Sequence, residues 1–133
     1  MNDSFPPQTV EESLLIAMAR DAIDPQWVFQ TVRYHHPGDV VSVRQRSIGV
    51  IMEMMATGLI RAGDPSEYLW DCTTGEAMER VVRTWLAEAP DGMPEDYTIA
   101  TFHLTESGEV LASEAIAKAK AFRAAESENG DTE

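Results

Sequence analysis

Cysteine occurs once in the 133 residues, at Cys72. That excludes an internal disulfide, leaves no thiolate cluster for a metal, and suggests a small buried or half-buried hydrophobe. Long apolar runs are missing as well. Arg20, Glu53 and Arg61 interrupt the hydrophobic stretches well before the ~18 residues that a membrane span needs. The N-terminal segment carries Asp3, Glu11 and Glu12 where a secretory signal would be basic, so a cytoplasmic protein is expected. There is no glycine-rich phosphate loop, and Ser107-Gly108 lacks the upstream glycine of a nucleophile elbow. No nucleophile, base and orienting group can be assembled around His103, which reads as a half-exposed structural histidine. His35-His36 stand at a helix end, where adjacent rings diverge and favour the helix dipole. The expectation is a non-enzymatic protein with no catalytic residues, no cofactor and no metal.

Basic residues are the other scarcity: ten lysines and arginines face 23 acids, giving a formal charge of −13. A field of that sign repels nucleic acid and anionic lipid, and favours basic partners or simple solubility. The imbalance is uneven. Residues 31–63 hold Arg33, Arg44, Arg46 and Arg61 against Asp39 and Glu53, so this stretch is net positive within an acidic chain.

What is present is chiefly helical periodicity. Residues 1–8, with Pro6-Pro7, read as a flexible arm. Thr9 and Glu12 have capping-box spacing, followed by Val10, Leu14, Ala17 and Met18 in a helix to about Ala22. Asp24-Pro25 opens a second helix through about Tyr34, with Val28, Phe29 and Val32 on its apolar side. Ser42 with Gln45 predicts a third start, continued by Ile48, Ile51, Met52, Met55 and Leu59 and stopped by Gly58 as a left-handed cap. A strand Leu59-Ile60-Arg61 follows. Thr73 with Glu76 opens a fourth helix, whose stripe is Met78, Val81, Val82, Trp85, Leu86 and Ala89, with i,i+4 pairs Glu76–Arg80 and Glu79–Arg83 outside. Tyr97–Leu104 reads as a strand, and Thr105 caps a last helix to about Ala125 with Val110, Leu111, Ala115 and Phe122 on one face. Residues 126–133 read as a disordered acidic tail.

Gly58-Leu59-Ile60 after its helix, and Phe102-His103-Leu104-Thr105-Glu106-Ser107-Gly108 before the last one, resemble winged helix–turn–helix domains. The glycine would end the third helix, two strands would pair as the wing, and the threonine would cap the next helix. The resemblance implies a mostly helical α+β fold: about five helices, a small antiparallel sheet of two or three strands, and a single domain over residues 9–125. A simple wing is a hairpin of roughly a dozen residues or fewer, whereas residues 64–96 insert a loop and a whole helix.

Two functional expectations follow. The first is protein–protein interaction through the acidic insertion, with Tyr68, Trp70, Glu67 and Asp71 as the binding candidates and a basic protein as the partner. The two aromatics lie outside any periodic stripe, and aromatics concentrate at interfaces. An inhibitor or immunity-type protein that covers a basic active site would fit the charge. The alternative, implied by the resemblance, is a DNA-binding transcriptional regulator using the third helix, with Arg33, Arg44, Gln45, Arg46 and Arg61 as contacts. A homodimer would double that basic footprint. On the third helix Arg46, Gly49 and Glu53 share the face opposite Ile51 and Met55, and Arg44 points away beside the apolar stripe.

Overall fold

The computed structural model describes residues 8–66, 68–95 and 99–131, with side chains as far as Glu126. It is an α+β structure of five helices and a two-stranded antiparallel sheet: α1 (Val10–Arg20), α2 (Pro25–His35), α3 (Val40–Ala56), β1 (Ile60–Gly63), α4 (Thr74–Glu88), β2 (Thr101–Leu104) and α5 (Glu106–Asp131). The strands pair Ile60 with Leu104, Arg61 with His103, Ala62 with Phe102 and Gly63 with Thr101. Single bridges extend the sheet on both sides, Ile23 to Phe102 and Leu69 to Gly63. The segment between α1 and α2 is thereby tied to the far end of the chain.

Local chemistry sets most helix starts where the spacing places them. Thr9 and Thr73 each form a reciprocal capping box, with Glu12 and Glu76, and the Asp24 carboxylate accepts from Trp27 N at 3.0 Å. The third start differs from the sequence reading. Asp39, not Ser42, is the cap: its Oδ1 accepts from Ser42 N at 2.9 Å and its Oδ2 from Ser42 Oγ at 3.1 Å. Aspartate after Pro37-Gly38 supplies an ionised acceptor, and so takes the position that serine would fill three residues later. Gly58 ends the helix at φ 79°, as its sequence position predicts.

The core gathers Leu14, Val28, Phe29, Val32, Ile51, Val81, Trp85 and Phe102, all with no exposed surface. α4 packs on α3 and β1 through Ala77, Val81 and Trp85, a stripe turned slightly from the expected one, and Leu86 stays 42% exposed. α5 runs back along α1, with Lys118 3.1 Å from Glu12. Its inner stripe is made of Gly108, Ala112, Ala115 and Ala119, whereas the expected Val110 and Leu111 face outward. Small residues win that face because α5 starts against backbone: Thr105 donates from N to the Leu59 carbonyl and from Oγ1 to the Gly58 carbonyl, and a Cβ at Gly108 would strike the Leu59 oxygen.

Several boundaries move, and β1 covers Ile60–Gly63 rather than the expected Leu59–Arg61. α1 stops at Arg20, and β2 begins at Thr101; Tyr97 and Thr98 of the expected strand lie outside the described residues. α5 continues to Asp131, beyond the expected end at Ala125 and into the segment read as a disordered tail. Nothing between Ala124 and Asn129 is proline or glycine, so no local signal stops the helix there. The arm expected at residues 1–8 lies, except for Gln8, outside the described residues. No described helix is long and apolar enough to cross a membrane.

Candidate protein-binding surface

The insertion begins with a tight reversal from β1. Gly63 lies so close to the returning chain that a Cβ there would sit 2.7 Å from the Tyr68 carbonyl oxygen. Asp64 then organises the turn. Its Oδ1 accepts from Ser66 N at 3.0 Å, from Ser66 Oγ at 2.6 Å and from Tyr68 N at 3.1 Å. Backbone bonds close the loop on both sides, Asp64 N to the Tyr68 carbonyl at 2.9 Å and Trp70 N to the Ala62 carbonyl at 3.1 Å. The Ser66 hydroxyl, then the Tyr68 and Ser66 amides and the charge of Arg80, hold the Asp64 carboxyl below its ordinary pKa.

The reversal sorts three consecutive side chains. Tyr68 is 75% exposed and Leu69 43%, while Trp70 turns inward and is only 8% exposed. Trp70 was expected beside Tyr68 as an exposed anchor, and the structure corrects this. Pairing with Ala62 points its indole into the core, where the Arg80 guanidinium covers it, 3.9 Å from the ring centroid. That contact also replaces the expected Glu76–Arg80 pair, because Glu76 Oε1 is engaged by Thr73 N at 2.9 Å. The Glu79–Arg83 pair does form, at 3.4 Å on the surface. Asp71 and Cys72 are exposed next to Trp70, and Glu67 lies outside the described residues. The candidate surface is thus Tyr68 and Leu69 on a hydrogen-bonded turn, with Asp71, Glu76 and Glu79 exposed around the start of α4.

The arginines of the alternative reading do not share one face. Arg46 and Gln45 are exposed on the outer side of α3 with Ser42, Gly49 and Glu53. Arg44 is half-buried on the flank, Arg33 sits 5.5 Å over the Phe29 ring on α2, and Arg61 is exposed on β1 opposite His103. Among the described residues none of these four arginines forms an ion pair. His103 is half-buried, its Nε2 2.9 Å from Thr101 Oγ1. His35 is likewise engaged, with Nε2 3.0 Å from Ser13 Oγ, and so ties α2 to α1.

Sequence reasoning missed one exposed stripe. Trp27, 51% exposed, and Tyr34, 73% exposed, stand seven residues apart on the side of α2 opposite Val28, Phe29 and Val32. The i,i+7 aromatic spacing was the available signal. Two open clefts of about 440 and 410 Å³ flank α5 and contain none of the candidate residues. In comparisons with known proteins the chain matches no family model, no curated protein and no solved structure.

Proposed function

We propose that this protein acts in the cytoplasm by binding another protein, without catalysis, through the turn between β1 and α4. The frame is read as winged-helix-like. Supporting that are the order of three helices, β1, the inserted α4, β2 and α5, and the bridge from Ile23 to Phe102, which adds a third element to the sheet. The carrying observation is that Tyr68 is three-quarters exposed although its own amide and carbonyl are both hydrogen-bonded to Asp64. A rigid exposed tyrosine offers apolar area at little ordering cost, which is how anchors at interfaces work. The acids around it and the charge of −13 suit a basic partner, raising the association rate more than the affinity. An inhibitor or immunity-type protein that covers a basic active site is the form of this activity that the charge favours.

The test is affinity capture with wild type, Tyr68→Ala and Tyr68→Ala/Leu69→Ala, each with an unchanged far-UV spectrum. Capture of a basic protein that both variants lose supports the proposal, and equal recovery by all three sinks it.

One observation favours the DNA-binding alternative. Because α3 starts at Val40, Ser42, Gln45 and Arg46 lie in its first two turns, where a recognition helix meets base edges, and Glu53 lies roughly 10 Å further along. Phosphate-driven binding weakens steeply with salt. A mobility shift against genomic fragments at low ionic strength that disappears at high salt and in Arg46→Glu would favour this reading, and no shift at low salt removes it.

A further inference from the structure

The two lysines of the chain, Lys118 and Lys120, lie on α5 together with Arg123. They follow three acids, Glu106, Glu109 and Glu114, so the first part of the helix is acidic and the next part basic. The helix dipole accounts for Glu106 and Glu109 in the first turn but not for the basic group, which lies well before Asp131, and the last turn holds no basic residue. Lys118 is used within the chain, 3.1 Å from Glu12. Lys120 and Arg123 are exposed and form no ion pair among the described residues.

Among the described residues nothing packs on the outer face of the same helix. Gly108, Ala112, Ala115 and Ala119 point to α1, while Val110, 57% exposed, lies on the opposite side with exposed Ala117, Ala121 and Ala124. A two-fold axis crossing α5 between Glu114 and Ala115 would set a second copy antiparallel to the first. At 100° per residue, Glu106 and Glu109 fall on the same flank as Lys120 and Arg123 of that copy, and Glu114 falls on the other flank beside its Lys118. Val110 then enters the gap between Ala117 and Ala121 of the second copy, as a branched side chain does between small residues on closely packed helices. Each contact occurs twice, which is what an isologous interface requires.

We infer that the protein forms a homodimer by antiparallel pairing of α5, its register set by Glu106 and Glu109 against Lys120 and Arg123. This inference is independent of what the β1–α4 turn binds. Sedimentation equilibrium on the full chain, from micromolar to hundreds of micromolar, should show a reversible dimer that weakens as salt screens the pairs. Glu106→Lys/Glu109→Lys and Lys120→Glu/Arg123→Glu each place like charges opposite one another, and each alone should dimerise on the order of tenfold or more weakly. Mixed at equal concentration, they should recover a heterodimer. Because all four positions are exposed, a folded monomer is expected for each variant, and recovery on mixing itself proves folding. Wild type that stays monomeric throughout, or a dimer indifferent to both reversals, or variants that do not associate on mixing, would overturn the inference.

Discussion

The guanidinium of Arg80 lies over the Trp70 indole, its central carbon 3.9 Å from the ring centroid. This contact holds the end of the β1–α4 turn against α4, and it decides how the surface can be probed. Arg80→Ala should cost about 1 kcal/mol, the worth of a partly desolvated cation–π pair, read as a lowered urea midpoint at unchanged slope. Trp70→Ala should cost roughly 3–5 kcal/mol, because the ring belongs to the core. A binding defect in the second variant would therefore report on folding, which is why Tyr68 and Leu69 carry the binding test.

Glycine at two helical positions has opposite expected effects. A Cβ at Gly108 meets the Leu59 carbonyl oxygen, which also accepts from Thr105 N at 3.0 Å, so backbone would have to move. Gly108→Ala should destabilise by about 1–3 kcal/mol in chemical denaturation, despite alanine's better helix propensity. Gly49, on the exposed side of α3, has nothing within 4 Å of the same added atom. Gly49→Ala should stabilise by about 0.5–1 kcal/mol. If both variants shift in the same direction, the close approach of α5 to the end of α3 is not as described.

Acid should weaken the helix starts. The Thr9 amide, then Lys118, lower the Glu12 pKa; the Ser42 amide lowers that of Asp39, and the Thr73 amide that of Glu76. A carboxyl with a folded-state pKa below its unfolded one adds stability above the unfolded value, and loses it as pH falls through the folded one. Asp39→Ala should thus be less stable than wild type at pH 7, and the gap should close as pH drops below about 4. Comparing the two proteins at each pH removes the opposing relief of self-repulsion, which both share. A gap that persists at pH 2 would show that the carboxylate charge is not what caps α3.

The sequence made the order of elements legible because its signals were local. Capping boxes at Thr9 and Thr73, Asp24-Pro25, and the left-handed Gly58 each act within four residues and need no tertiary partner. What escaped depended on contacts distant in the chain. Trp70 faces inward because its backbone pairs with Ala62, and Val110 faces outward because α5 meets the backbone at Leu59 through glycine and alanine. The candidate surface divides in the same way: turn residues placed Tyr68 in a loop, but only the pairing separated it from its tryptophan neighbour. Asp39 displaced Ser42 as a cap because aspartate and serine, three residues apart, are both good N-caps, and spacing alone does not rank them.

The order of that turn leads to the last prediction, which separates positioning from contact. The Asp64 carboxylate is engaged within the turn, where it accepts two hydrogen bonds from Ser66 and one from the Tyr68 amide. Removing them in Asp64→Ala leaves Tyr68 in place chemically and frees it conformationally. Amide exchange at Tyr68 should then speed up by an order of magnitude or more, while exchange in the α3 core near Ile51 stays unchanged. Partner capture should weaken with a higher off-rate, since the anchor must now be ordered on binding. Asp64→Asn keeps an acceptor oxygen, so it should recover part of both the protection and the affinity. Faster exchange with undiminished capture would mean that Tyr68 does not bind as a preordered anchor, whereas loss of protection at Ile51 as well would make Asp64 a determinant of the whole fold rather than of its exposed turn.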